Sequence, residues 1–235
     1  MNLKNLKILD GSVLKLIAIV TMLFDHLALI LLSNQDFATD PLLTIGSKQI
    51  SLYFILRKIG RLAFPIFCFL ITQGFIHTKN IKKYIFNLFL FAIISEVPFD
   101  LMVGGKFIYL GKQNIYFTLI LGILALWVID NINIIFKKYL LLALIITAAI
   151  ILKVDYGQTG VMLIILIYVL RDKPAVQAIL ALPFLSGGYA ALCSFIPINM
   201  YNGERGFIKG KTIKYIFYIF YPLHIIILLL IKIIL

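Results

Sequence analysis

The sequence predicts an all-α protein, a polytopic transmembrane helical bundle of about eight helices, one of them broken, with no soluble domain. Three observations predict it. Apolar residues fill 62% of 235 positions, against roughly 45–50% in ordinary soluble domains. Several separate runs are long enough to cross a hydrocarbon core of ~30 Å, which takes about 20 residues. The longest gaps between runs, Ser33 to Ile50 and Asn199 to Thr212, are too short to hold a soluble domain. Residues 1–235 therefore read as a single transmembrane domain, multi-pass in the plasma (inner) membrane. The first run is too long and too polar for a secretory h-region, and no small-residue cleavage site follows it, so it reads as a retained helix.

The elements follow in chain order. Val13–Leu32 is the first span, and it carries Asp25-His26 well inside it. Lys4, Lys7 and Lys15 precede or enter it and favour a cytoplasmic N-terminus. The loop Asn34–Gln49, with Asp36, Asp40 and Lys48, suits the outer side. Leu52–Ile76 is the second helix, with a kink expected at Pro65. It opens with Arg57-Lys58-Ile59-Gly60-Arg61, where Arg57 and Arg61 share a face at i,i+4. The basic turn His77 to Lys83 suits the inner side. Tyr84–Leu101 is the third helix and ends in Ser95-Glu96-Val97-Pro98-Phe99-Asp100, with Glu96 and Asp100 again at i,i+4. The loop Met102–Asn114 falls outside, and the fourth helix begins with Ile115-Tyr116-Phe117-Thr118 and runs to Asp130. Tyr139–Leu152 is the fifth, Lys153 to Gly157 a tight outer turn, and Thr159–Leu170 the sixth. Ala175–Asn199 contains Pro183, Ser186-Gly187-Gly188 and Pro197. It is too short for two spans and reads as one broken helix, of the kind that lines cavities. Met200–Gly206 falls outside, and the last span, Ile213–Ile233, contains Tyr221-Pro222-Leu223-His224. Both termini then lie inside. The 22 Lys and Arg residues divide evenly between the two sides, so the inverted topology also stays open.

The net charge is +12. In a soluble chain it would suggest nucleic acid. Here the cations sit in short loops, where they meet anionic lipid headgroups or an anionic ligand. Cys68 and Cys193 lie in apolar runs and read as packing residues, with neither a disulfide framework nor metal spacing. No His, Cys and carboxylate cluster has metal spacing, no phosphate-loop pattern occurs, and no nucleophile elbow is present.

The remaining polar residues inside or beside the spans are expensive to place in lipid and are functional candidates by default. On the N-inside topology Asp25-His26, Arg57/Arg61, Glu96/Asp100, Asn114/Tyr116, Asp155/Tyr156 and Tyr201/Asn202/Arg205 all fall in the outer half. A shared wet pocket explains that convergence more simply than separate satisfied contacts do. Adjacent helical residues point ~100° apart, so Asp25 is poorly placed to orient His26. It is expected to bind Arg57 or Arg61 instead. An imidazole takes a proton near neutral pH, which makes His26 the candidate base. Guanidiniums suit phosphate or carboxylate. The plainer alternative for Arg57 and Arg61 is ion pairing with Glu96 and Asp100. For His224, beside Pro222, it is a bond to a freed carbonyl. His77 is expected to be solvated.

These motifs together resemble the TraX family, membrane proteins named for F-pilin N-terminal acetylation. The resemblance spans nearly the whole chain. It rests on Leu14-Lys15-Leu16-Ile17-Ala18 with Met22 and Asp25-His26, on Arg57 to Phe67, on Gln73-Gly74-Phe75 with His77-Thr78, and on Ser95 to Asp100. It continues through Asn114 to Leu119, Asp155-Tyr156-Gly157, Tyr201 to Gly206, Lys214-Tyr215 and Phe220 to His224. More distantly, the intramembrane His of the first span is similar to that of transmembrane acyltransferases that acylate sugars from acyl-coenzyme A. The resemblance implies transfer of an acyl group, acetyl above all, from acetyl-CoA to an amine or hydroxyl. A pilin N-terminus or a cell-surface glycan would be the acceptor. His26 would be the base, with Asp25 beside it. Arg57 and Arg61 would hold coenzyme A phosphates or Asp25, and Tyr201, Asn202 and Arg205 would line the acceptor mouth. Glu96, Asp100, Asn114, Tyr116, Asp155, Tyr156 and His224 complete the expected binding set. The partners would be membrane lipid, acyl-CoA and an acceptor protein or glycan, with no metal and no nucleic acid. The rival readings are a proton-coupled transporter and a non-enzymatic export or assembly factor.

Overall fold

The structure is a computed structural model and describes residues 7–208 and 210–235. Lys4, one of the lysines that orient the first span, lies outside the described residues. The chain folds as two compact units, residues 1–67 with 186–235, and residues 68–185.

In the first unit α1 spans Gly11–Leu27 and widens into a π-helical turn over Ala28–Leu32. Asp10 caps it. Its Oδ1 accepts from the amides of Ser12 and Val13 at 2.8 and 2.9 Å, satisfying donors that a helix start leaves without partners. The loop beyond carries a short helix α2, Asp36–Thr39, and a hairpin of β1, Leu43–Ile45, with β2, Lys48–Ile50. Next comes α3, Leu52–Gly60, whose cap Ser51 accepts from the Phe54 amide.

The second helix predicted from sequence is in fact two, α3 and α4, the latter spanning Ala63–His77. The break falls at Arg61–Leu62 rather than as a kink at Pro65. The reason is steric: a proline ring clashes with the carbonyl four residues earlier and cannot donate to it. Pro65 is tolerated in the first turn of a new helix, and the carbonyl four back belongs to Arg61. The unit is completed by α10, Tyr189–Leu192, α11, Phe195–Asn199, and α12, Lys211–Ile234.

Loop 200–208 is bonded to the start of α1. Leu9 donates to the Met200 carbonyl at 2.9 Å, Asn202 to the Leu9 carbonyl at 2.9 Å, and Gly11 to the Glu204 carbonyl at 2.8 Å. Buried Ser12 donates its hydroxyl to the Arg205 carbonyl at 3.1 Å and accepts from the Ile208 amide at 2.8 Å. Gly206 sits at φ 83°, and a Cβ there would lie 2.3 Å from Asp10 Oδ1. From this clasp α12 sets out in the same direction as α1 and packs on α1 and its π turn.

In the second unit α5 spans Ile81–Gly104, α6 Ile115–Asn131, α7 Ile135–Ile151, α8 Gly157–Val169 and α9 Pro174–Ala181. The central helix α6 packs on α5, α7 and α8. Gly122 lets α8 close in, since a Cβ there would lie 2.3 Å from Ile164 Cδ1. Ala125, Ala149, Val154 and Val161 form a buried core. Buried Gln177 donates from α9 to the Ile167 carbonyl at 2.9 Å. The stretch read as one broken helix is broken more often than expected, into α9, a 3-10 turn Leu182–Phe184, α10 and α11.

Three segments among the described residues are long and apolar enough to cross a membrane: Gly11–Leu32, Ile81–Gly104 and Tyr215–Ile234. Ile115–Asn131, Gly157–Val169, Pro174–Phe184 and Tyr189–Asn199 are apolar but shorter. Cys68 is buried, as expected, whereas Cys193 is exposed.

Candidate functional site

Because α1 and α12 run parallel from a common clasp, residues equally far along them meet. His26 and His224 do so: His26 Nδ1 lies 2.6 Å from His224 Nε2. The ring centroids are 4.9 Å apart with planes 15° from parallel. That separation is close to the N···N distance plus two ring radii, so the rings meet edge to edge. His224 is 4% exposed. Its Nδ1 lies 2.7 Å from the Phe220 carbonyl one turn back, and the Phe220 ring stacks on it at 4.8 Å and 13°. Tyr221 tilts against both imidazoles, at 6.1 Å from His26 and 5.9 Å from His224. The sequence singled out both histidines but not their pairing, which needs the parallel packing of helices nearly two hundred residues apart.

Asp25 points elsewhere, as the ~100° step requires. Its Oδ2 accepts from Arg57 Nη1 at 2.7 Å, with side chains 17% and 21% exposed. Of the two expected arginines, Arg57 is the partner. Gly60 makes the approach possible, because a Cβ there would lie 2.3 Å from Asp25 Cβ. Arg61 caps α3 with its stem against Gly187, where a Cβ would lie 2.6 Å from Arg61 Cβ. Its guanidinium has no ion-pair or hydrogen-bond partner among the described residues.

Tyr201, Asn202 and Arg205 are not near His26, which corrects the single outer level read from the sequence. They sit in the loop clasped to residues 9–12, and His26 lies fifteen residues along α1 from Gly11, about 22 Å at 1.5 Å per residue. Counting crossings put them at the outer level, and the fragmented segment before them defeats that count. Tyr201 is half-buried, and burial, followed by the Asp10 carboxylate, pushes its phenol above the ordinary tyrosine value.

In the second unit the expected residues do gather. Asn114, fully buried, caps α6 by accepting from the Tyr116 amide at 3.0 Å. Its Nδ2 donates to the Ala92 carbonyl at 2.8 Å and, closely, to Glu96 Oε2. Asp100 Oδ2 accepts from the Tyr109 amide at 2.8 Å. Asp155 Oδ1 pairs with Lys112 Nζ at 2.7 Å and accepts from the Tyr156 amide at 3.1 Å, while its carbonyl takes the Thr118 hydroxyl. Gln113 and residues 153–155 exchange amide bonds of 3.0 and 2.8 Å. Tyr156 stands at φ 61° and starts α8. These bonds pin the loop before α6 to the turn before α8, so this cluster reads first as architecture. Nothing in the spacing of Tyr109 and Lys112 marks them in the sequence, and Thr118 stands there only as part of a helix start. His77 is exposed at the end of α4.

Helices long and apolar enough to cross a membrane, two of which bring a histidine pair together beside a carboxylate–guanidinium pair, are those of a helical membrane protein. The sequence model of the TraX protein family matches residues 10–232, and the chain belongs to that family. It is also 30% identical over 241 aligned residues to the probable fimbrial assembly protein FimC, serogroup H1, of Dichelobacter nodosus, covering 90% of this chain and 91% of that protein. No solved structure matches.

Proposed function

We propose that the chain is an integral membrane acyltransferase that moves an acetyl group from acetyl-CoA to an amine or hydroxyl, with His26 as general base. The observation that carries this reading is the histidine pair. A base needs one ring nitrogen held and the other open, and among the described residues His26 has a partner at Nδ1 and none at Nε2. His26 Nε2 takes the proton of the acceptor N–H or O–H as that atom attacks the thioester carbonyl. The tetrahedral intermediate collapses with cleavage of the C–S bond, and the imidazolium returns the proton to the coenzyme A sulfur. Arg61, with its charge unspent, suits a coenzyme A phosphate, while Arg57 holds Asp25. Family membership and likeness to a fimbrial assembly protein favour a pilin amino terminus as acceptor over a glycan.

Isothermal titration of the detergent-purified protein with acetyl-CoA and coenzyme A tests the donor. The expected result is saturable binding, weakened in Arg61→Ala and kept in His26→Gln. His26→Gln should lose transfer by about 10²–10⁴-fold. Absence of binding at millimolar ligand, or full transfer by His26→Gln, would remove the enzyme reading. Likeness to a fimbrial assembly protein favours one other reading, a non-enzymatic assembly factor, in which fimbriae assemble unchanged in the His26→Gln strain.

A further inference from the structure

We propose that His224 is a positioning residue. It fixes His26 in the tautomer whose Nε2 carries the lone pair, and so selects Nε2 as the atom that takes the acceptor's proton. The proton's destination rests on the acyl-transfer reading above, whereas the tautomer stands on the geometry alone.

The chain of bonds is fixed from its far end. The Phe220 carbonyl can only accept, so His224 Nδ1, 2.7 Å away, carries a hydrogen and donates. A neutral imidazole has one N–H and one lone pair, so His224 Nε2 is a lone pair and can only accept. His26 Nδ1, 2.6 Å from it, must therefore be the donor. His26 Nε2 is then the lone pair by elimination. Each step is forced by the one before, and the first is forced by a backbone carbonyl, which has no alternative state.

The rest of the packing holds this assignment in place. His224 is buried, and Phe220 constrains it twice, by its carbonyl and by its stacked ring. Flipping the His224 ring to reverse the relay would break its bond to the Phe220 carbonyl. When His26 Nε2 takes a proton, Nδ1–H still donates to His224 Nε2, and the second ring takes up part of the charge through that short bond. The pair does for His26 what a carboxylate does for a triad histidine, orienting the ring and choosing its tautomer, but with a neutral partner.

The test reads the tautomer directly. The full chain in lipid nanodiscs, with 15N-labelled histidine, gives ring-nitrogen shifts that distinguish protonated from bare nitrogens. Three histidines make assignment simple, and His77→Gln removes the exposed one. The measurement is made well above the ordinary histidine pKa of about 6.5. Expected are a protonated Nδ1 and a bare Nε2 on both His26 and His224. His224→Phe should move the His26 hydrogen to Nε2, the form a histidine favours in water. His224→Gln, whose amide oxygen can accept from His26 Nδ1, should restore the native pattern. In parallel, His224→Phe should lower kcat for thiol release from acetyl-CoA by on the order of 10²-fold with KM unchanged, and His224→Gln should recover part of it. A hydrogen on His26 Nε2 in the native protein overturns the proposal without any variant, and so does a His224→Phe protein with an unaltered His26 pattern. If the native pattern holds but His26→Gln consumes acetyl-CoA at full rate, the acyl-transfer reading fails and the tautomer assignment stands.

Discussion

Gly60→Ala should loosen the joint between α1 and α3 at its most polar point. A Cβ on residue 60 would lie 2.3 Å from Asp25 Cβ, 2.5 Å from Oδ1 and 2.6 Å from Cγ. Reaching ordinary carbon contact of ~3.5 Å requires about 1.2 Å of separation. Asp25 Cβ sits on the helix backbone, so a rotamer change cannot supply it. The helices must part, or Asp25 must swing. Either motion stretches the 2.7 Å Arg57–Asp25 bond towards ~3.9 Å, past hydrogen-bonding range. Overpacking costs about 1–3 kcal/mol, and a charge-assisted hydrogen bond contributes about 1.5–3 kcal/mol. A loss of roughly 3–5 kcal/mol follows from these two effects. The assay is the midpoint of thermal unfolding in detergent, followed by the fluorescence of Trp127 and repeated for Asp25→Gly and the double variant. If Asp25 is what the added methyl group strikes, Gly60→Ala should cost little in the Asp25→Gly background, giving a large coupling between the two sites. Simple additivity of the two losses would refute the reasoning.

Three further outcomes follow from the same bonds. Ser12→Ala removes the donor to Arg205 and the acceptor for Ile208, so amide exchange over residues 200–208 should accelerate by about tenfold or more, from ~1.5–3 kcal/mol of local loosening; unchanged exchange would show that the clasp does not depend on Ser12. Asn114→Ala loses the α6 cap and leaves Glu96 only the long contact from the residue 114 amide, and should lower stability by roughly 2–4 kcal/mol; a shift within ~0.5 kcal/mol, as for an ordinary surface change, counts against the architectural reading. Tyr201 has its phenol held neutral above the ordinary range, first by burial and then by Asp10. Because the folded value is raised, its contribution is present below the unfolded value of about 10 and is lost as pH rises through the folded one. An ultraviolet difference titration against Tyr201→Phe should therefore isolate Tyr201 as a late step, moved earlier by Asp10→Asn, and no such movement would mean that Asp10 is not felt there.

How legible the site was depends on the range of the interactions. The i,i+4 spacing of Arg57 and Arg61 and the ~100° step between Asp25 and His26 are local facts, and they predicted correctly that Asp25 turns to an arginine. The start of α6 at Ile115 was equally plain, because there an apolar run follows a polar loop in adjacent letters. The level of Tyr201, Asn202 and Arg205 was not legible. It was inferred by counting crossings through residues 175–199, and Pro183, Gly187, Gly188 and Pro197 cut that stretch into pieces no span count describes. The bonds that place the loop join Leu9, Gly11 and Ser12 to residues some two hundred positions away. The same is true of His26 and His224, since only tertiary packing makes their depths coincide.

The two polar pairs on α1 divide a problem that lipid imposes. A lone charge in hydrocarbon is costly, and a carboxylate bonded to an imidazole favours the charged ring. Had Asp25 turned to His26, the histidine would rest with the proton that the acyl-transfer reading has it accept. Instead Asp25 spends its charge on Arg57 at 2.7 Å, and Gly60 lets α3 come close enough for that. His26 is left with a neutral partner, His224, itself tied to a backbone carbonyl. The adjacency of Asp25 and His26 in sequence thus serves separation rather than contact. One residue locks α3 to α1, and the next is paired with a second imidazole at the same depth. Under the acyl-transfer reading, replacing His224 with aspartate should therefore be worse than replacing it with glutamine. A carboxylate there would raise the ring's affinity for a proton, so that less of His26 rests as the free base.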